Sequence, residues 1–107
     1  NWNDTTKNIY NLIRGLSPYP AAFTFLQKEG EEPVQLKIFF GEKMELDTPA
    51  APGTILTNGK DYLAIATSDG AVSLKDVQLA GKKRMDVKTF LLGFREPETY
   101  ICVNRQS

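Results

Sequence analysis

The sequence predicts a mainly β domain: a small closed barrel of about five or six short strands, with one helix ahead of them and a short helix after the last long strand. Three observations carry this expectation. Apolar residues alternate through Val34, Leu36, Ile38 and Phe40, and again through Val72 and Leu74, which is the period of a half-buried strand. Turn residues punctuate these runs at Glu29-Gly30-Glu31-Glu32-Pro33, Asn58-Gly59 and Ser68-Asp69-Gly70. Strands this short leave two unpaired edges unless the sheet closes on itself, and an OB-like Greek-key barrel is the common small architecture that closes it. An open five-stranded sheet with both helices on one face is the alternative arrangement of the same elements.

The first helix opens at Thr5-Thr6 behind Asp4, which can cap it. Ile9, Leu12, Ile13 and Leu16 supply one apolar face, and Gly15 stands where a C-cap glycine belongs. Pro18-Tyr19-Pro20 then predicts a stiff, extended exit. Ala21 to Gln27 and Val34 to Phe40 read as a hairpin, and Glu42 to Pro52 as a crossing loop. Gly53 to Thr57 and Tyr62 to Thr67 flank Asn58-Gly59, the signal of a two-residue hairpin turn. In Ala71 to Leu79 the apolar parity changes between Leu74 and Val77, so a bulge or bend is expected near Lys75-Asp76. Asp86 is placed to cap a second helix with Val87, Phe90, Leu91 and Phe94 on its apolar face and Gly93 at its end. Beyond Pro97, Tyr100 to Val103 reads as an edge strand or as part of a tail.

Composition bounds the function. The 107 residues suit one domain and bury roughly 60–70% of the unfolded surface. Thirteen Lys+Arg balance thirteen Asp+Glu, so no global field steers a polyanion and any affinity for one must come from local clustering. There is no histidine and one cysteine, Cys102, which argues against a His/Cys metal site and against a histidine general base. The carboxylates fall mostly in turns (Glu29, Glu31, Glu32, Asp47, Asp69) without a paired signature, and no Gly-rich phosphate loop is present. By itself the chain is not expected to be an enzyme. No apolar run nears the roughly 20 residues of a membrane span, and the lone cysteine either fits a reducing cytosol or is uninformative. A cytoplasmic location and a monomer are expected.

The local exception to this neutral composition is Leu79-Ala80-Gly81-Lys82-Lys83-Arg84-Met85, where Gly81 turns the chain and three consecutive cations follow. Either these are solvated loop charges or they meet an anionic partner. Arg14 and Arg95 are weaker candidates, each with a structural alternative at the end of a helix. Tyr19 and Phe39 are either core aromatics or platforms for bases.

Three stretches carry a resemblance. Ile9-Tyr10-Asn11-Leu12-Ile13-Arg14-Gly15-Leu16-Ser17-Pro18-Tyr19-Pro20-Ala21-Ala22-Phe23-Thr24 closely resembles the opening motif of the C-terminal domain of the methionyl-tRNA formyltransferase family. Pro52-Gly53-Thr54-Ile55 is similar to that domain's Pro-Gly-Thr segment, and Gln78 to Met85 followed by Phe90-Leu91-Leu92-Gly93 is similar to its strand-to-helix signature. The matches keep the family's order across residues 9–95.

The resemblance implies an OB-like C-terminal domain over residues 1–95, with residues 96–107 a possible edge strand or tail. It implies a parent enzyme that moves a formyl group from 10-formyltetrahydrofolate to the methionine amino group on initiator tRNA. Chemistry and folate binding belong to an N-terminal catalytic domain, whose Asn, His and Asp constellation has no counterpart here. The expected partners are therefore initiator methionyl-tRNA and that catalytic domain, with Lys82, Lys83, Arg84, Arg14 and Arg95 meeting phosphates. No cofactor is expected on this segment, and alone it is expected to be inactive. Related enzymes acting on nucleotide sugars or folates share the first motif, so a structural or interaction domain that binds no RNA is the alternative.

Overall fold

A computed structural model describes residues 1–103. Helix α1 spans Thr6–Leu16 and is capped by Thr5, whose Oγ1 accepts the Asn8 N–H at 3.1 Å. Asp4, the expected cap, lies one residue too early. Its Oδ1 accepts the Thr5 N–H at 2.7 Å and the Asn8 side-chain amide at 3.0 Å, so it braces the cap instead. The helix also runs through Gly15 and ends at Leu16, where the Ser17 N–H reaches the Ile13 carbonyl. The exit is a turn and not an extended segment: both X-Pro peptides are cis, and the Ala21 N–H returns to the Leu16 carbonyl at 2.9 Å. Ile9 and Ile13 are buried, while Leu12 stays half exposed.

Seven antiparallel strands follow among the described residues: β1 (Ala22–Lys28), β2 (Val34–Met44), β3 (Ile55–Thr57), β4 (Leu63–Ala66), β5 (Ala71–Leu79), β6 (Met85–Asp86) and β7 (Tyr100–Val103). Helix α2 (Val87–Gly93) lies between β6 and β7. The strand order is β3-β4-β5-β2-β1-β7, with the two-residue β6 flanking β5. Strands β2 to β5 make a Greek key, because β3-β4-β5 is a meander and β2 returns to lie beside β5. The ring then nearly closes. Thr54 bridges Ile101, and the Cys102 N–H donates to the Gly53 carbonyl at 2.9 Å. This excludes the open sheet, and it makes Tyr100–Val103 a strand paired to β1 that meets the start of β3 on its other side. Gly53 is required at the seam: its φ is +91°, and a Cβ there would stand 2.7 Å from the Cys102 carbonyl oxygen.

Two connections differ from expectation. The β3–β4 turn occupies residues 58–62 rather than two residues, because the Asn58 Oδ1 accepts the N–H groups of Lys60 at 2.9 Å and Asp61 at 2.8 Å and so organises a wider turn. Strand β2 continues through Glu42 and Lys43 to Met44, shortening the crossing loop to residues 45–54.

The expected irregularity is present and involves both strands. Ile38 faces Val77, Phe40 faces Asp76 and Gly41 faces Leu74, so Phe39 and Lys75 are each unpaired in the ladder. Each strand thereby presents two consecutive residues outward, Phe39-Phe40 and Lys75-Asp76. The inward set changes parity on both at once: Leu36, Ile38 and then Gly41 on β2, and Val77 followed by Leu74 and Val72 on β5. Gly41 points into the core, where a Cβ would lie 2.9 Å from the Val72 Cγ1 and 3.2 Å from the Ser73 carbonyl oxygen.

The core runs from Ile9 and Ile13 of α1 through Leu26, Leu36, Ile38, Leu63, Ile65, Leu74 and Val77 to Val87, Phe90 and Leu91 of α2. Phe94 stacks between Phe90 and Tyr100, with 4.8 Å between ring centroids on each side, and so ties α2 to β7. A polar relay crosses the barrel wall. The buried Trp2 Nε1 donates to Thr24 Oγ1 at 2.9 Å, and the Thr24 hydroxyl donates to the Val103 carbonyl at 3.0 Å. Cys102 lies beside them, and burial pushes its thiol pKa up to about 12, which keeps it protonated and inert.

Thr24→Val keeps the side-chain shape but leaves the buried Trp2 N–H without its acceptor and removes the hydroxyl that donates to the Val103 carbonyl. It should cost about 1–3 kcal/mol in urea unfolding. An unchanged midpoint would mean that the relay does not fasten the N-terminal segment to β1 and β7.

Candidate nucleic-acid interface

The basic turn leaves β5 through Ala80 and Gly81, the latter at φ +79°. The Lys82 N–H donates to the Leu79 carbonyl, and the Gln78 side-chain amide donates to the Lys82 carbonyl, both at 2.9 Å. This fixes the backbone and leaves Lys82 and Lys83 projecting from an exposed turn, with no ion pair to either among the described residues. Arg84 behaves differently. Its Nε and Nη2 both donate to the Asp76 Oδ2, at 2.8 and 2.5 Å, and its Cζ lies 4.2 Å from the centroid of the Phe39 ring. Phe39 is therefore neither core nor a free platform, because its face already carries a guanidinium. Both partners of Arg84 are residues that the paired irregularity turns outward. The ion pair is part-exposed and contributes about 0.2–1 kcal/mol.

Phe39 also lines a shallow cleft of about 220 Å³. Tyr10, Arg14 and Ser17 form its α1 side, and Phe39, Phe40 and Gly41 its β2 side. The Arg14 Cζ stands 5.7 Å from the centroid of the Tyr10 ring, and the Lys43 Nζ stands 5.2 Å from the same ring. One aromatic thus holds two cations within cation–π range. Nearby, Lys75 pairs with Glu42 at 3.4 Å.

Of the candidates read from sequence, Arg84 and Arg14 are linked through Phe39, which carries the Arg84 guanidinium and lines the cleft with Arg14 and Tyr10. Lys82 and Lys83 adjoin this track through the turn, Lys82 also lining a hollow against α2 with Leu79, Met85 and Phe90. Arg95 does not join the track. It lines a separate depression with Glu96 and Glu98. Tyr19 is almost fully exposed on the turn after α1. Lys43, Tyr10 and Phe40 were not singled out from sequence. Lys43 stood in the stretch read as loop, although the alternation of Glu42-Lys43-Met44 continues the strand. The Tyr10 and Arg14 spacing, four residues apart on one helix, was a usable signal.

Asp86 caps α2 beside this track, with Oδ1 accepting the Thr89 N–H at 2.9 Å. Hydrogen bonds from Thr89 hold its carboxyl below the ordinary value of 3.8. Asp69, which accepts the Thr6 N–H and hydroxyl at the start of α1, is lowered in the same way. A depressed native pKa contributes stability above the unfolded-state value and loses it as pH falls through the lowered native one. Asp86→Asn, which retains the capping geometry, should match the parent at pH 7 and lose less stability on acidification below pH 4. Matching acid limbs in pH-dependent urea melts would contradict the capping role of the carboxylate.

Residues 1–95 match the family model described as formyl transferase, C-terminal domain. The methionyl-tRNA formyltransferase of Parabacteroides distasonis is 46% identical over 92% of this chain, that of Bacteroides fragilis 44% identical over 92%, and one from Streptococcus pneumoniae 44% identical over 87%. The chain spans 31% of the first two proteins and 28% of the third, just under a third of their length. Matched by that model over residues 1–95, the chain belongs to the formyl transferase C-terminal domain family.

Proposed function

We propose that this chain is the tRNA-binding C-terminal module of a methionyl-tRNA formyltransferase, the enzyme that moves a formyl group from 10-formyltetrahydrofolate to the amino group of methionyl initiator tRNA in the cytoplasm during translation initiation. The observation that carries the reading is the connected basic track. Arg84 and Arg14 lie along it on aromatic rings, and Lys82 and Lys83 adjoin it in the turn, on a chain whose total charge is zero. Such cations meet phosphates, which position a nucleic acid without reading its sequence. Their number is small, so the module binds weakly by itself and relies on an N-terminal catalytic domain for affinity and for all of the chemistry. Its contribution is to hold the acceptor-bearing RNA in register with that domain, lowering the entropic cost of bringing amine and formyl donor together.

The Arg84–Asp76 pair favours a second reading, in which the turn is a structural junction and the domain buttresses its enzyme without touching RNA. Replacing Lys82, Lys83 and Arg84 together with Ala in the full-length enzyme separates the two. The RNA-binding reading predicts weaker tRNA binding and a log–log salt dependence flattened by about two to three units, from roughly 0.7–0.9 per phosphate contact. An unchanged slope in nitrocellulose-filter titrations at 50–200 mM salt would leave only the buttress.

A further inference from the structure

We infer that the cleft between α1 and β2 is a subsite for one unpaired nucleotide, its base stacked on Phe40 and its phosphate reached by Arg14 and Lys43. This rests on the RNA-binding reading and deepens it.

Phe40 sets the site apart from the rest of the track. Phe39 already carries Arg84, and Tyr10 already carries two cations, whereas Phe40 is 49% exposed with no ring or cation partner among the described residues. A single exposed phenylalanine is ordinary in itself; Phe40 counts here because it lines the cleft beside Arg14 and Tyr10. Its position is imposed and not incidental. The unpaired Phe39 shifts the register so that Phe40, which would otherwise continue the inward series of Leu36 and Ile38, is turned out beside the cleft.

The surrounding charges select the ligand. Arg14 lines the cleft, and Lys43 shares the Tyr10 ring with it, with neither in an ion pair among the described residues. An aromatic face beside two cations matches a nucleotide, with a planar base and an anion a few ångströms apart. A cleft of about 220 Å³ between a helix and a strand takes one base but not a base pair, so the ligand is single-stranded.

The test uses the 107-residue chain and a 12-nucleotide single-stranded RNA carrying 2-aminopurine, with a blunt hairpin of equal charge as the paired control. Phe40→Ala should weaken single-strand binding by about 5- to 100-fold and abolish the change in 2-aminopurine fluorescence, with the salt slope unchanged. Phe40→Trp, which restores a stacking face, should bind like the parent. Arg14→Ala with Lys43→Ala should flatten the slope by about 0.7 units, the value for one phosphate contact on a single strand. Parent chain that fails to bind the single strand, Phe40→Ala within twofold of the parent, or an equal loss on the hairpin would each overturn the subsite. A flattened tRNA slope in the Lys82, Lys83 and Arg84 variant, with no effect of Phe40→Ala, would sink the subsite alone and leave the phosphate-binding role standing.

Discussion

Strands β2 and β5 are the long central strands of the barrel, and their side chains must satisfy two demands that a regular ladder cannot meet together. The half of β2 beside β1 buries Leu36 and Ile38, and the half beside α1 must accept that helix against Gly41, close to Val72 and Ile13. A regular alternation would turn Phe40 inward beneath the helix. Slipping one residue on each strand resolves the conflict, because Phe39 and Lys75 drop out of the ladder together and the two halves remain in step. Slipping on one strand alone would have moved half of its apolar set to the solvent face.

The same slip builds the outer surface. It sets Asp76 and Phe39 outward side by side, and these hold Arg84 flat through an ion pair and a ring contact. The basic turn is thereby attached to β2 as well as to β5 and α2. The slip also turns Phe40 out next to Arg14 and Tyr10 of α1. Core packing and the charged face thus share one cause. Barrel closure is a separate matter, held by Gly53 against Cys102 and by the Trp2–Thr24–Val103 relay, at the opposite edge of the strand order.

Much of this was legible in the sequence. The alternation of β2 as far as Ile38, the limits of β5, the Asp86 cap and the parity change at Lys75-Asp76 were all legible, and the structure keeps them. Phe40, read as the next inward residue, is instead turned out by the slip. What was not legible depends on partners distant in sequence. Asn58-Gly59 has the chemistry of a tight hairpin, yet the Asn58 side chain organises a longer turn whose length is set by where β3 and β4 must pair. Tyr100–Val103 has the look of an edge until Gly53 and Thr54 are known to meet it. Arg84 reads as a third equivalent cation beside Lys82 and Lys83, because nothing local says that Asp76 lies within reach. Among the candidate site residues, the turn and Arg14 were accessible from composition and motif. Lys43, Tyr10 and Phe40 became visible only once the helix was seated on the strand.

Gly41→Ala decides the central point by its sign. If both strands slip as described, the added methyl enters the core against Val72 and the Ser73 backbone, and urea unfolding should show a loss of about 1–3 kcal/mol from overpacking. If β2 were regular and Gly41 faced solvent, the same change would stabilise the chain by about 0.5–1 kcal/mol through a less flexible unfolded state. A gain in stability would contradict the paired slip and, with it, the origin proposed for the Arg84, Phe39 and Phe40 surface.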